Sequence, residues 1–544
     1  MPSTQVKSIS YDYIIVGAGP AGCVLANRLS EDPTRRVLLL EAGGSDRLLT
    51  VQMPAAVPFA YMSKRLGWGY ESGPEPHLDQ RMIDEKRGRV LGGSSSINAM
   101  IFNRGNPLDF DGWASQGLDG WSWRDCLPYF RKMETFAGGA DAWRGGDGPL
   151  RISRCPAGFP LYQTFLRAGE QAGHPVTRDH NGAQQEGMHI AQAYIYRGIR
   201  SSAANAYLRP AQGRPNLTVR DGCHVLRLLL DNGRAHGVVV AGPQGEEQIT
   251  CEGEVVLAAG AFGSPQLLML SGIGDPPQLA ARGITVKLAL PEVGRNLENH
   301  PGVNLQVATE ARHSLVSQLG AVGRMRLGLE WALLRTGLGA SNFFEAGAFL
   351  RTRPDVAFPN VQFEFLPLVR YVDNGKLKAR PGFNFWLDLS RPASRGHVRL
   401  RNTDPRTPPE IVFNHLAEPS DREDLVDGLL MAREIVRQAA FDGIRGAEIL
   451  PGPHVKTRAD LTRWLAANVG TSFHPSGTCR MGAPGASVVD SVGRVHGAQG
   501  LRVVDGSILP RTVTANISAA IYMVAEKIAD AMRGRQFLEK AEET

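Results

Sequence analysis

Two kinds of apolar pattern divide the chain. Short unbroken runs at residues 13–16 (YIIV), 37–40 (VLLL) and 255–258 (VVLA) have the length and composition of strands buried on both faces of a parallel sheet. Later, residues 361–366 (VQFEFL), 383–389 (FNFWLDL) and 397–400 (HVRL) alternate with period two, which predicts antiparallel strands with two unlike faces. In the first of these Val361, Phe363 and Phe365 point one way, and Gln362 and Glu364 point the other, toward a cavity or, as the plainer expectation, toward solvent. Helical spacing appears at residues 121–134, with Leu127, Phe130 and Met133 in register, at 421–439, with Leu425, Leu429, Ala432 and Val436, and again at 516–532. Between 217 and 240 alternating segments separated by Asp-Gly and Asn-Gly predict a hairpin, with Val225 near the start of one strand. The fold class that follows is α/β, a Rossmann-like domain, joined to an α+β domain whose antiparallel sheet is flanked by helices.

The turn after the first run is Gly17-Ala-Gly19-Pro-Ala-Gly22, and the next strand ends at Glu41, 19 positions beyond the last glycine. In a strand-turn-helix-strand unit these glycines serve a tight turn, the approach of a pyrophosphate and close helix packing, while the acid accepts from ribose hydroxyls. Glu41 disfavours a 2′-phosphate, but the unit alone does not separate NAD from FAD. A second glycine-rich stretch, RGRVLGGSSSINAM at 87–100, offers backbone to a flat or anionic ligand, and residues 97–102 read as the start of a buried helix. Residues 254–268 read as a buried strand, a glycine turn and a helix with Pro265 near its first turn. Residues 291–300 read as a loop, and 501–507 as a strand ending in an acidic turn.

Composition narrows this only slightly. At 544 residues the chain exceeds one core. Its net charge of +6 is the small difference between 60 basic and 54 acidic residues, which argues against a nucleic-acid partner. The basic residues between Arg370 and Arg406 read as a solvated face. Six cysteines without CxxC pairs, and no apolar leader in residues 1–13, predict a cytoplasmic protein. The apolar stretch 517–525 is too short to cross a bilayer, so any membrane contact would be peripheral, at the inner membrane. No metal site is expected: His300 and the His174, Asp179, His180 group read as structural or exposed.

Taken together, GAGPAG with Glu41, RGRVLGGSSSINAM, GAFGSPQLLMLSGIG (260–274), FHPSGTCRMG (473–482) and LRVVDGSILPRTVTANISAA (501–520) resemble the glucose–methanol–choline (GMC) family of flavoprotein oxidoreductases. The texture is nearest its bacterial alcohol dehydrogenases and choline-dehydrogenase-like members. The resemblance implies an FAD domain assembled from separated segments, 1–310 with excursions toward the substrate side near 45–85 and 150–215, a substrate domain at 311–465, and a return at 466–544. It implies FAD contacts at Gly17, Ala18, Gly19, Gly22, Glu41, Ala42, Gly92, Gly93, Asn98, Ala99, Met100, Val225, Asp505 and Gly506. Some members tether FAD through a histidine where this chain has Ile97, so noncovalent FAD is expected.

The resemblance further implies His474 as the active-site base and Asn516 as its partner, with Asn516 also able to cap the following helix. Imidazole suits a base near neutral pH, and a neutral carboxamide can donate to an oxygen as charge develops on it. Candidate substrate-lining residues are Phe473, which favours an aromatic or long-chain alcohol, and Glu345 and Glu364, either of which could meet a choline-type cation. The expected reaction is oxidation of an alcohol to an aldehyde or ketone, with electrons passed to a quinone-like acceptor. Alternatives are an oxidase using O2 (aryl-alcohol, hydroxymethylfurfural or choline type), a hydroxynitrile-lyase-like flavoprotein, or a nicotinamide enzyme. Sugars remain open as substrates, and the oligomeric state is open too.

Overall fold

A computed structural model describes residues 10–242, 245–374 and 376–542; the leader reading at residues 1–9 lies outside these. Among the described residues there are two seven-stranded sheets. In the first, Leu217–Arg220, Val37–Leu40, Tyr11–Val16, Gly245–Leu257 and Leu501–Val503 lie side by side and parallel. The N-terminal half of Gly245–Leu257 continues outward as an antiparallel hairpin with Arg234–Gly242 and Val225–Asp231. Its central strands bury every side chain from Ile14 to Val16 and from Val37 to Leu40, as their unbroken apolar runs require. The helix Pro20–Leu29 begins directly after the glycine turn and packs against Ser518–Met532. Within that second helix buried Glu526 is gripped by Arg28 through Nε and Nη2.

The second sheet is antiparallel, in the order Glu448–Leu450, Pro301–Val307, Phe383–Leu389, Val361–Leu366, Ala346–Leu350, Gly187–Ile190, with Gly470–Thr471 also on Pro301–Val307. It takes Gly187–Ile190 and Pro301–Val307 from before residue 310 and Gly470–Thr471 from after residue 465. One face packs on Pro419–Arg437, whose Leu425, Leu429 and Ala432 are fully buried, the two leucines contributing about 1.5–3 kcal/mol each. Its other face carries Asn304, Trp386 and Glu364 in cross-strand register and lines a cavity. Glu364 therefore faces a cavity and not solvent, and Gln362 on the same side is buried against Asn516.

Four local expectations are corrected. Residues 97–102 form no helix: a 3₁₀ turn over Gly93–Ser96 gives way to irregular chain, with Met100 at φ 60°. Pro265 lies inside the helix Gly260–Leu270, past its first turn. The Ala261 carbonyl, which a proline there cannot reach, accepts instead from Thr478 Oγ1 at 2.6 Å. His397–Arg399 pairs with Glu410–Val412 in a separate ribbon, outside the large sheet. Arg370, within the stretch read as a solvated face, lines the cavity.

Candidate active site

A cavity of about 830 Å³ runs between the two sheets, within the range of small-molecule and cofactor sites. Glu41, Ala42 and Val225 line one end and His474, Phe473, Glu364 and Asn516 the other, with Gly17, Gly19, Gly93, Asn98, Ala99, Met100, Asp505 and Gly506 also on the wall.

Backbone makes most of the first end. Gly17 has φ 104°, and a side chain there would strike the Ala258 carbonyl at 2.5 Å. A Cβ on Gly22 would lie 1.9 Å from the Gly17 oxygen, so the helix rests directly on the turn. At Gly19 a Cβ would meet nothing within 4 Å, leaving the room a pyrophosphate needs beside a helix N-terminus. Gly93, at φ 54°, passes so close that its Cβ would sit 2.7 Å from Gly19 Cα, and the Gly92 N–H donates to the Ala18 carbonyl at 2.8 Å. Glu41 accepts the Ala18 N–H at 2.9 Å and the Gly43 N–H at 2.8 Å, and burial pushes its carboxyl up to about 7. Asp505 accepts from the Gly260 N–H at 2.8 Å, Ser264 Oγ at 2.5 Å and the Ser507 N–H at 2.8 Å. Ala18, Gly22 and Gly92 thus shape this end from behind the wall.

Side chains make the second end. Phe473 holds φ 64°, a strained value for a residue with a bulky side chain; Thr471 Oγ1 accepts its N–H at 3.0 Å and Arg87 donates to its carbonyl. This bend presents His474, whose N–H is held by Asn299 Oδ1 at 2.8 Å. Asn516 Oδ1 accepts from Asn103 Nδ2 at 2.5 Å and Gln362 Nε2 at 3.2 Å, which fixes the amide with Nδ2 toward His474 Nε2 at 3.1 Å. His474 Nε2 is then an acceptor, its proton sits on Nδ1, and that N–H donates to His300 Nδ1 at 2.9 Å. His300 in turn uses Nε2–H toward Thr512 Oγ1 at 3.2 Å.

Burial holds the His474 imidazole well below 6.5, helped by His300 and Arg87, and holds His300 down to about 4. Both rings are therefore neutral at pH 7, and the His474 Nε2 lone pair, held by Asn516 Nδ2, lies at the cavity wall. Burial pushes Glu364 up to about 7, against a hydrogen bond from Asn516 Nδ2 at 3.3 Å and the charge of Arg370.

His474, Asn516, Phe473 and Glu364 come together here. Glu345 does not: its buried carboxylate accepts from Ser341 Oγ at 2.5 Å and lies off the cavity wall. Asn516 makes no cap, since Ser518–Met532 starts without a side-chain cap at Ile517. Sequence reasoning passed over His300, which is buried against His474, and also Asn103, Gln362, Trp386 and Arg370. The one available signal was Asn299-His300 immediately before a strand. His180 and His189 stack at 3.9 Å between centroids, fully buried, and among the described residues no cluster of His, Cys, Asp or Glu could hold a metal.

An elongated cavity with a backbone-lined nucleotide end and a neutral imidazole at the far end defines a dinucleotide-dependent oxidoreductase. The chain belongs to the GMC oxidoreductase family, whose N-terminal part matches residues 11–302 and C-terminal part residues 392–525. It is 44% identical to the oxygen-dependent choline dehydrogenase of Photobacterium profundum (96% of this chain, 93% of that one). It is 46% identical to the enzyme of the same name from Burkholderia multivorans (98% and 95%). Among solved structures, pyridoxine 4-oxidase from Mesorbium loti aligns with TM-score 0.87 and 32% identity over 97% of this chain and 100% of that one. Aspergillus oryzae formate oxidase, studied for its FAD modification, aligns with TM-score 0.91 and 27% identity over 97% and 99%. The protein is an FAD-binding oxidoreductase acting on CH–OH donors, and its cavity fits that cofactor: open space at Gly19, an acceptor carboxylate at Glu41 and the close crossing of Gly93 at Gly19. No helix among the described residues is long and apolar enough to cross a membrane.

Proposed function

We propose that His474 takes the hydroxyl proton of an alcohol on Nε2 while Asn516 Nδ2 donates to the same oxygen. The observation carrying this is the 3.1 Å hydrogen bond between these two nitrogens on the cavity wall, which an entering hydroxyl would replace by accepting from Nδ2 and donating to Nε2. An alcohol hydroxyl is too weak an acid to ionise unaided; a neutral imidazole that accepts its proton, next to a fixed amide donor, lowers that barrier. His300 holds the Nδ1 proton of His474 and so keeps Nε2 unprotonated. When bound, FAD supplies the acceptor for the hydride that leaves the carbinol carbon. Glu41, the Gly17–Gly19 turn and Asp505 would hold its ADP and pyrophosphate portions. Ile97 packs with Val51, Ala60, Leu66 and Val90 and offers no nucleophile, so acid precipitation is expected to release the flavin intact.

For substrate, the curated relatives' names favour a choline-type alcohol. Glu364 supports it, standing on the cavity wall with Trp386, Phe344, Tyr61 and Phe473, a carboxylate among rings suited to a quaternary ammonium. Arg370 shares this wall and shifts the Glu364 carboxyl, which favours a second reading: a neutral primary alcohol in a charge-balanced pocket. The same relatives' names favour oxygen as acceptor over the quinone expected from the motifs. Anaerobic mixing with choline and with its uncharged isostere 3,3-dimethylbutan-1-ol, followed by flavin absorbance, decides between these. Choline bleaching the flavin far better supports the first reading, the isostere matching it the second, and no bleaching by any alcohol would overturn the oxidoreductase mechanism.

A further inference from the structure

The indole of Trp386 stands on the cavity wall in a setting built around it. Its strand places it opposite Glu364 on one neighbour and Asn304 on the other. Beneath its six-membered ring lie two paired glycines, Gly302 and Gly470. A Cβ at Gly302 would lie 2.5 Å from Trp386 Cζ2 and 2.8 Å from Cε2, and one at Gly470 would lie 3.6 Å from Cη2. Gly302 sits within the strand Pro301–Val307 and has no positive φ, so its backbone would suit any residue. The bare position answers to the ring above it.

The edge of the indole is tied down as well. Trp386 Nε1–H donates to Ser472 Oγ at 2.9 Å, and Ser472 Oγ–H donates to Asp388 Oδ2 at 2.7 Å. Asp388 is 1% exposed and stands behind the wall, where its Oδ1 has no hydrogen-bond partner among the described residues. Burial, with Glu364 nearby, raises its acid group well above 3.8. A buried acid with an unpartnered oxygen is costly to keep for packing alone, and the hydroxyl that it does meet fixes the indole. Ser472 also belongs to the bend that presents His474: two residues before that histidine, its N–H donates to the His300 carbonyl at 3.0 Å.

Resting on the reading that an alcohol binds beside His474, we propose that Trp386 sets the width of the substrate pocket and that Asp388, acting through Ser472, is the residue that positions it. The glycine floor lets the ring sink toward the sheet. The Ser472 hydroxyl, its proton committed to Asp388, keeps a lone pair for the indole N–H. Without Asp388 that hydroxyl is free to turn, and the wall loosens. Because one segment carries both Ser472 and His474, wall and imidazole keep a fixed separation, which limits the bulk that an alcohol held at His474 can carry.

The test uses the holoenzyme and two tertiary alcohols, 2-methylpropan-2-ol and the bulkier 3-ethylpentan-3-ol, which carry no hydrogen on the carbinol carbon and so bind without being oxidised. Titration followed by flavin absorbance gives the ratio of their affinities. Trp386→Ala should shift that ratio toward the bulkier alcohol by about tenfold or more. Asp388→Ala should shift it the same way by about two- to tenfold, the worth of one hydrogen-bonded link. Asp388→Asn, which keeps an acceptor for Ser472, should restore the wild-type ratio. A Trp386→Ala ratio equal to wild type overturns the wall. An Asp388→Ala ratio equal to wild type, whatever that variant's melting temperature, overturns the positioning role, as does an Asp388→Asn ratio shifted as far as that of the alanine variant. Neither alcohol binding to the wild type would instead overturn the placement of the alcohol beside His474, and the proposal with it.

Discussion

The two ends of the cavity are built by opposite means. At the Glu41 end, consecutive residues supply turn, helix and acceptor, and the contacts that matter are backbone: Ala18 N–H to Glu41, Gly22 against Gly17, Gly93 across Gly19. At the His474 end, the working groups come from residues 103, 300, 362, 364, 474, 512 and 516, drawn from one strand of the second sheet and from separate loops, and contacts are side chain to side chain. A ligand that is always the same can be held by backbone geometry. A reacting end that must choose a substrate and move a proton needs groups whose charge state burial can set.

If that division holds, the largest loss of rate comes from the second end with no loss of cofactor. His474→Ala should slow anaerobic flavin reduction by roughly 10²- to 10⁴-fold while the protein stays yellow, as stopped-flow absorbance would register. Reduction within a few-fold of wild type would remove His474 from the base role. Asn516→Ala should follow with a loss of about 2.7–4 kcal/mol in transition-state stabilisation. Asn516→Ala also strands the buried Asn103 Nδ2 and Gln362 Nε2 donors, so a stability loss of about 1–3 kcal/mol is expected alongside, and a rate unchanged within a few-fold would leave Asn516 only that structural role.

At the first end a pair of glycines separates ligand space from packing space. Gly22→Ala drives a Cβ to 1.9 Å from the Gly17 carbonyl and should cost about 1–3 kcal/mol of stability or more, with poor flavin retention. Gly19→Ala meets no protein atom within 4 Å, so the apoprotein should melt as wild type yet bind FAD weakly. Equal destabilisation by the two would show that the space at Gly19 is not reserved for a ligand.

The same contrast explains what could be read from the chain. The βαβ unit was legible because its whole logic lies within 30 residues, and the two sheets because pattern follows burial: unbroken where both faces are covered, alternating where one is polar. Alternation in 361–366 could not say whether Gln362 and Glu364 face water or a cavity, since both leave the same pattern. Glu345 and Glu364 were indistinguishable by type, and only register sends Glu364 to the cavity beside Trp386 while Glu345 turns to Ser341. His300 was missed because its contact with His474 spans 174 positions, and one histidine among 13 carries no mark of its partner. Pro265 misled for the opposite reason, a strong local rule overridden by a tertiary donor, Thr478.

A subtler separation lies within the second end, between recognising a cation and accepting a proton. Glu364→Gln should raise the KM for choline about tenfold, the worth of one charge-assisted contact, and leave 3,3-dimethylbutan-1-ol nearly unaffected.

The smallest expected effect is in the pH dependence, and its sign follows from the two shifts. Glu364, pushed up to about 7 by burial, is ionised above that pH and neutral below it, so kcat/KM for choline, which reports the free enzyme, should fall as pH drops through 7, by about a factor of two at the midpoint itself. His474, held well below 6.5 by burial, gains a proton only in more acid solution. The rate of flavin reduction at saturating isostere should therefore stay level as pH falls through 6.5. An acid limb near 6.5 in that rate, with the isostere as substrate, would mean that bound ligand or water restores ordinary solvation to the base. In that case burial would tune only the recognition half of the site.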